Sequence, residues 1–205
     1  DAMLQRKKQE VDILAAKLAE ENDIEIIADV RMGDFLVTIS EVKEAYNARF
    51  LVVGMPKKTI DHYLLGNTTT AAIQTLKFPI LAVPEAVKFT GIKRILYACD
   101  IKRGVHLEIM QNIKDFAESH HAAVNVFYVG DHLKSADYDK KIEESLEGIK
   151  YSFKHVPAQS VISAILHEAK AIEADLIVMS PHKYGFWSSI IHTSKTNAMA
   201  SNGKI

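Results

Sequence analysis

Two stretches near the middle of the first half carry residue types that can hold an anion. Gly54-Met55-Pro56-Lys57 is followed, after a short spacer, by Gly66-Asn67-Thr68-Thr69. Glycine lets a backbone come close to a phosphate. The unpaired amides of a helix start favour negative charge, and the threonine hydroxyls add donors. Asn and Thr are also ordinary helix caps, and for the tripeptide taken alone capping is the commoner role. Altered versions of both stretches return as Ser180-Pro181-His182-Lys183 and His192-Thr193-Ser194-Lys195. There a side chain, His192, stands where Gly66 offers bare backbone, which argues against the same phosphate pose, while Thr193 and Ser194 keep their hydroxyls. Asp100, at the end of an apolar run, is a candidate base or ligand contact, with capping of the next helix as the plainer role. Asp100, His182 and Lys183 together would suit a small anionic substrate, but strand-end position alone supports that reading.

Other reactive residue types form no such set. The nine histidines show no metal-ligand spacing. His120-His121 ends a helix, where histidine complements the dipole without a ligand. Cys99 follows an apolar run and reads as packed rather than reactive. Phe186-Trp187 reads as an anchor for a loop or interface. There is no phosphate-binding Walker loop, no nucleophile elbow and no kinase signature.

Composition narrows the classes further. A net charge of −1 leaves no electrostatic footprint for nucleic acid. No stretch is long and apolar enough to span a bilayer. One cysteine in 205 residues excludes an internal disulfide framework and suits a reducing cytoplasm. Nearly half the chain, 48%, is apolar, enough for substantial cores.

The elements that must position these residues follow from apolar patterning. Residues 3–21 place Leu4, Val11, Leu14, Ala15 and Leu18 at helical spacing. Residues 23–30 read as a strand. Asp34 caps a helix with Leu36, Ile39, Val42 and Ala45 on its inner side. Residues 50–53 and 79–83 read as strands, with a helix from Gly66 to about Leu76 between them. Residues 84–91 read as a linker. Beyond it come strands at 93–98, 124–129, 151–156 and 175–179. Helices are expected at about 104–121, 133–149, 161–172 and within 187–200. Unbroken apolar strands alternating with helices imply a parallel sheet covered on both faces.

The chain also repeats itself. Ala48-Arg-Phe-Leu-Val-Val53 returns 126 positions later as Ala174-Asp-Leu-Ile-Val-Met179, and without a gap Val30 falls on Val156, Ile39 on Ile165 and Lys57 on Lys183. The period is far longer than that of a solenoid, so a duplicated domain is expected. The second copy has a strand–helix–strand at 93–129 for which the first shows no counterpart, and it stops where Phe78-Pro79 opens the last strand of the first. Unpaired sheet edges would result, so the expectation is that strands are missing at both ends.

The set Leu51-Val-Val-Gly-Met-Pro56, Leu64-Leu-Gly-Asn-Thr68 and Phe78-Pro-Ile-Leu-Ala-Val-Pro84 resembles the universal stress protein family. Ile95-Leu-Tyr-Ala-Cys-Asp100 resembles that family's opening strand, and Ala174–Met179 its fourth. The resemblance implies two tandem doubly wound, Rossmann-like α/β domains, residues 1–86 and 92–205. Nucleotide-binding members carry Gly, two residues, Gly, nine residues, then Gly followed by Ser or Thr, and an Asp after the first strand on the adenine side. Gly54 and Gly66 match the outer glycines. Pro56 stands in for the middle one but with only one residue, Met55, between it and Gly54, and Asn67 replaces the hydroxyl residue, which Thr68 could supply.

The resemblance therefore implies a stress-response protein. It would bind ATP or a related adenine nucleotide, with magnesium, through Gly54, Met55, Pro56, Gly66, Asn67 and Thr68 of the first domain. The second domain is degenerate, with Asp100, Thr193 and Ser194 as residual contacts. Any hydrolysis is slow and incidental. The competing reading is a dimerisation or interaction module of the same family without nucleotide. Its partner would be a second copy, the chain's other domain paired as a pseudo-dimer, or an unidentified protein, but not nucleic acid or membrane.

Overall fold

The apolar runs of the second half assemble into one parallel sheet. In the computed structural model, residues 2–55, 71–73, 75–76, 78–100, 106–130 and 136–180 are described. By spatial compactness the chain divides into two units, Asp1–Leu51 with Ala71–Leu81, and Val52–Thr70 with Ala82–Ile205. The strands Leu51–Met55 (β1) and Ile80–Pro84 (β2) form a two-stranded sheet, with Leu51 N donating to Pro79 O at 3.0 Å. Arg94–Cys99 (β3), Ala123–Val129 (β4), Tyr151–Val156 (β5) and Leu176–Met179 (β6) form a four-stranded sheet in the order β5-β4-β3-β6. All three pairings in it are parallel.

Parallel strands must be linked by crossovers, and the helices that make them cover both faces. On one face Ile95, Tyr97, Val124, Val126 and Tyr128 pack against Met110, Ile113 and Ala117 of Leu107–His120 (α3). Ile142 and the following Leu146, from Ala136–Ser145 (α4) and its end, complete that core. On the other face Leu96, Ala98 and Phe127 meet Ile165 and Ala169 of Val161–Ala171 (α5). Strand alternation explains the split, since successive side chains point to opposite faces. Each such fully buried side chain contributes about 1.5–3 kcal/mol through removal of apolar surface from water.

The first half opens with Ala2–Asn22 (α1) and Phe35–Ala45 (α2). Asp34 caps α2 as expected, its Oδ1 accepting from Leu36 N at 3.0 Å and Val37 N at 3.1 Å. The repeat is visible in the backbone. α2 spans 35–45 and α5 spans 161–171, so both ends are displaced by the same 126 residues. Their caps obey the same offset, Asp34 against Ser160 and Tyr46 against Ile172. The next residues, Asn47 and Glu173, both take left-handed conformations, with φ of 48° and 49°. Ala48 N donates to Lys43 O at 3.0 Å, and its equivalent Ala174 N to Ala169 O at 2.8 Å. Such a left-handed residue closes a helix by turning its last orphan carbonyls onto following amides.

Two expectations fail in the first half. Residues 24–30 form no strand. A strand exists only in a ladder. The equivalent residues of β5 pair with β4, and among the described residues the first half has no equivalent of β4. The inner side expected for α2 is only partly covered: Leu36, Ile39 and Val42 are half-buried, Ala45 is exposed and no residue of α2 is fully buried, whereas α5 buries Ile162, Ile165, Glu168 and Ala169.

The helix start after β3 also differs from expectation. α3 begins at Leu107 with His106 as its N-cap, so Asp100 does not cap it. At the amino end of the sheet, Asp175 Oδ2 accepts from Lys93 N at 2.8 Å and Arg94 N at 2.9 Å. Arg94 in turn donates from Nε to Glu173 O at 2.9 Å. These bonds tie the start of β6 to the start of β3.

Candidate functional site

In an open parallel sheet the crevice for a ligand lies beyond the carboxyl ends of the strands where strand order reverses. Here β3 is the first strand in sequence and sits inside the sheet, with β4 on one side and β6 on the other. The reversal therefore lies between β3 and β6, whose last pair is Ala98 opposite Met179. Asp100 follows β3 and Ser180 follows β6, so the topology sets these two half-buried residues at the ends of adjacent strands. Sequence distance gave no hint of this, since eighty positions separate them.

Three ionisable side chains line up near the carboxyl ends of β3, β4 and β5. Cys99, Tyr128 and His155 occupy neighbouring strands in register, on one face of the sheet. Tyr128 and His155 stack with ring centroids 6.1 Å apart. The Cys99 thiol donates to Phe127 O at 3.7 Å. Burial pushes this thiol up to about 12; a backbone hydrogen bond works the other way, and the Asp100 carboxylate adds to the rise. Burial also pushes the Tyr97 hydroxyl far up, with the Cys99 charge as a smaller cause. Both groups stay neutral at physiological pH, and the expectation of a packed rather than reactive cysteine agrees with this.

Gly130, at the end of β4, is a residue the sequence reading passed over. A Cβ there would stand 2.4 Å from Tyr128 Oη and 2.7 Å from its Cζ. Tyr128 is itself almost wholly buried, so its ring has no room to retreat. The signal in the sequence was a lone glycine directly after the run 124–129. Gly130→Ala is expected to cost about 1–3 kcal/mol of stability, the range for overpacking a closed site. Urea unfolding checks this, and Tyr128→Phe should restore only part of the loss because Cζ remains.

A second feature escaped the sequence reading on the opposite face. Glu168 is buried on α5, and its Oε2 accepts from Lys154 Nζ of β5 at 2.5 Å. A buried carboxylate needs such a partner. Next to it Ser152 Oγ donates to Asn125 Oδ1 at 2.8 Å.

In the first half, Gly54 lies at the carboxyl end of β1. Its φ lies outside the left-handed region, and none of the described residues stands within 4 Å of where a Cβ would be. Among the described residues, therefore, neither backbone conformation nor packing requires a glycine there. Met55 ends the same strand. Pro56, Gly66, Asn67, Thr68, Thr193 and Ser194 lie outside the described residues, as do His182, Lys183 and His192. Among the described residues no group of three or more His, Cys, Asp or Glu could hold a metal ion. Among them, too, no helix is long and apolar enough to cross a membrane.

The sequence model of the universal stress protein family matches residues 1–84. None of the curated proteins matches the chain. Among solved structures, a universal stress protein from Archaeoglobus fulgidus DSM 4304 is similar at a TM-score of 0.67 and 21% identity, over 93% of this chain and 71% of that one. A universal stress protein from Pseudomonas aeruginosa UCBPP-PA14 is similar at a TM-score of 0.60 and 18% identity, over 91% of this chain and 72% of that one. At these identities the structures speak for the fold, and the family match over the first 84 residues speaks for the lineage. Residues 1–84 thus match the universal stress protein family, and the chain shares an α/β, parallel-sheet fold with solved universal stress proteins over most of its length.

Proposed function

We propose that the chain is a tandem stress-response protein that binds an adenine nucleotide of the ATP type in its first domain. The second domain is a degenerate copy. The observation that carries this reading is Gly54. It stands at the carboxyl end of an apolar strand, one residue before its last, and no described atom or backbone angle asks for glycine there. A glycine with no structural duty, followed by Gly66-Asn67-Thr68, suits close approach of a phosphate to bare backbone. Magnesium would arrive with the nucleotide phosphates. In the second domain Ser180 and His192 replace both glycines, which supports a site closed to the same pose.

Calorimetric titration of the full chain with Mg-ATP tests the reading. Heat is expected at or below about 1 mM nucleotide, which corresponds to binding worth about 4 kcal/mol. Gly54→Val should weaken binding about tenfold or more, while the melting temperature of the unliganded protein stays nearly unchanged because its Cβ meets none of the described residues. Neither heat nor a thermal shift at that concentration removes the proposal. A dimer in light scattering combined with that silence would favour the interaction-module reading instead.

A further inference from the structure

α1 precedes residues 24–30 as α4 precedes the equivalent strand β5. The inner sides of these two helices are alike, with Ala15 buried in α1 and Ile142 in α4. Their outer sides are not. Among its described side chains, those that α4 exposes are Asp139, Lys140, Lys141, Glu143 and Glu144, all charged. α1 exposes Leu14 and Leu18 among its charges, by 55% and 39%. A single exposed leucine is ordinary. What makes these two informative is the order of the charges around them.

Positions 7, 10, 17, 18 and 21 lie three, four or seven residues from Leu14 and so share its face of the helix. Towards the carboxyl end that face carries Lys7, Glu10, Leu14, Lys17, Leu18 and Glu21. Turned end for end about Leu14, the row is its own complement. Lys7 falls on Glu21, Glu10 on Lys17 and Leu18, and Leu14 on itself. A twofold interface presents one surface to its own copy, which requires this kind of self-complementarity. We propose that this face of α1 is the contact with a second copy of the chain, the two helices running antiparallel with the twofold axis at Leu14. A parallel pairing would set Lys7 on Lys7 and Glu21 on Glu21, and like charges repel. Within one helix Lys7 Nζ reaches Glu10 at 2.7 Å and Lys17 Nζ reaches Glu21 at 3.7 Å, yet all four side chains stay more than half exposed. Each carboxylate therefore has room for a second cation from the partner. Exposed ion pairs contribute little affinity; they choose the orientation, and the leucines supply the attraction. An anionic membrane is the poorer occupant, because α1 carries four basic and four acidic residues and has no net charge to draw it there. The inference rests on α1 and is independent of nucleotide binding.

Sedimentation equilibrium of the 205-residue chain tests it. A stripe one helix wide is smaller than a standard interface, so the mass should rise from one chain to two between about 1 μM and about 1 mM. Leu14→Glu should raise Kd at least about tenfold. It should leave the melting temperature in dilute solution nearly unchanged, since this side chain is already exposed. Lys7→Glu should weaken the dimer about threefold or more, because it sets two carboxylates against each other at both ends of the contact. Adding Glu21→Lys to the same chain should restore Kd to within about twofold of the starting protein. A chain that stays monomeric to about 1 mM overturns the proposal. A dimer that Leu14→Glu leaves intact also overturns it, and places the contact on another face. So does a double variant that associates no more tightly than Lys7→Glu alone.

Discussion

Phe127→Ala should lower the unfolding free energy by about 3–5 kcal/mol, the range for removing a buried aromatic ring. Phe127 is 2% exposed and sits on the inner strand β4. Its ring fills the face between Leu96 and Ala98 of β3 and Ile165 and Ala169 of α5. Truncation loses the transfer term of the ring and leaves a void, because backbone strands on one side and a helix on the other limit collapse. The small residues Ala98 and Ala169 have no spare atoms to fill it. Tyr151→Ala on the outer strand β5, where the side chain is already 36% exposed, should cost clearly less. Urea melts at constant slope measure both. A loss below about 1 kcal/mol at Phe127 would mean that α5 does not close this face.

Cys99 should resist alkylation at pH 8 by about a thousandfold relative to an unhindered thiol, since its titration is raised from 9.0 to about 12. The thiolate is the nucleophile, so three units of rise remove about three decades of reactive species. Burial is the principal cause, and the Asp100 carboxylate beside it adds to the effect. Iodoacetamide labelling with and without urea reads the difference directly, and labelling of the native protein at the free rate would refute the packed position. The same shift has a consequence for stability. A group raised in the folded state holds its proton there while the unfolded chain loses it. Stability from Cys99 and Tyr97 is thus fully present below the unfolded titration, near 9 and 10, and declines as pH climbs towards the folded values. Alkaline melts should show that decline, and Cys99→Ala should remove part of it.

Three strands of the second sheet were legible as largely apolar runs of four to seven residues, and Tyr151–Val156 as a short run mixing apolar and polar residues; such runs pair wherever partners exist. Residues 24–30 carry Ile24, Ile26 and Ile27, a run of the same kind, and make no ladder. Propensity was present and the neighbour was not. The glycines of the phosphate reading could be found by type and spacing, whereas Gly130 could not, because its reason is a tyrosine ring two positions back that only packing folds over it. Asp100 was singled out as a strand end. That Ser180 stands beside that end follows from the crossover through β5 and α5, not from any local pattern.

What the sequence alone determined is local. The cap at Asp34 and again at Ser160, the helices from 35 to 45 and 161 to 171, and the left-handed exits at Asn47 and Glu173 arise from neighbours a few positions apart, so two diverged copies build them alike. What only tertiary structure decided is which of these equal pieces becomes interior. Burial and strand pairing need surfaces contributed from far along the chain, and β3, α3 and β4 provide them to α5 and β6, while α2 reaches only partial burial. Hydrogen bonds inside a helix close within four residues, but the water they leave behind is expelled only by another part of the fold.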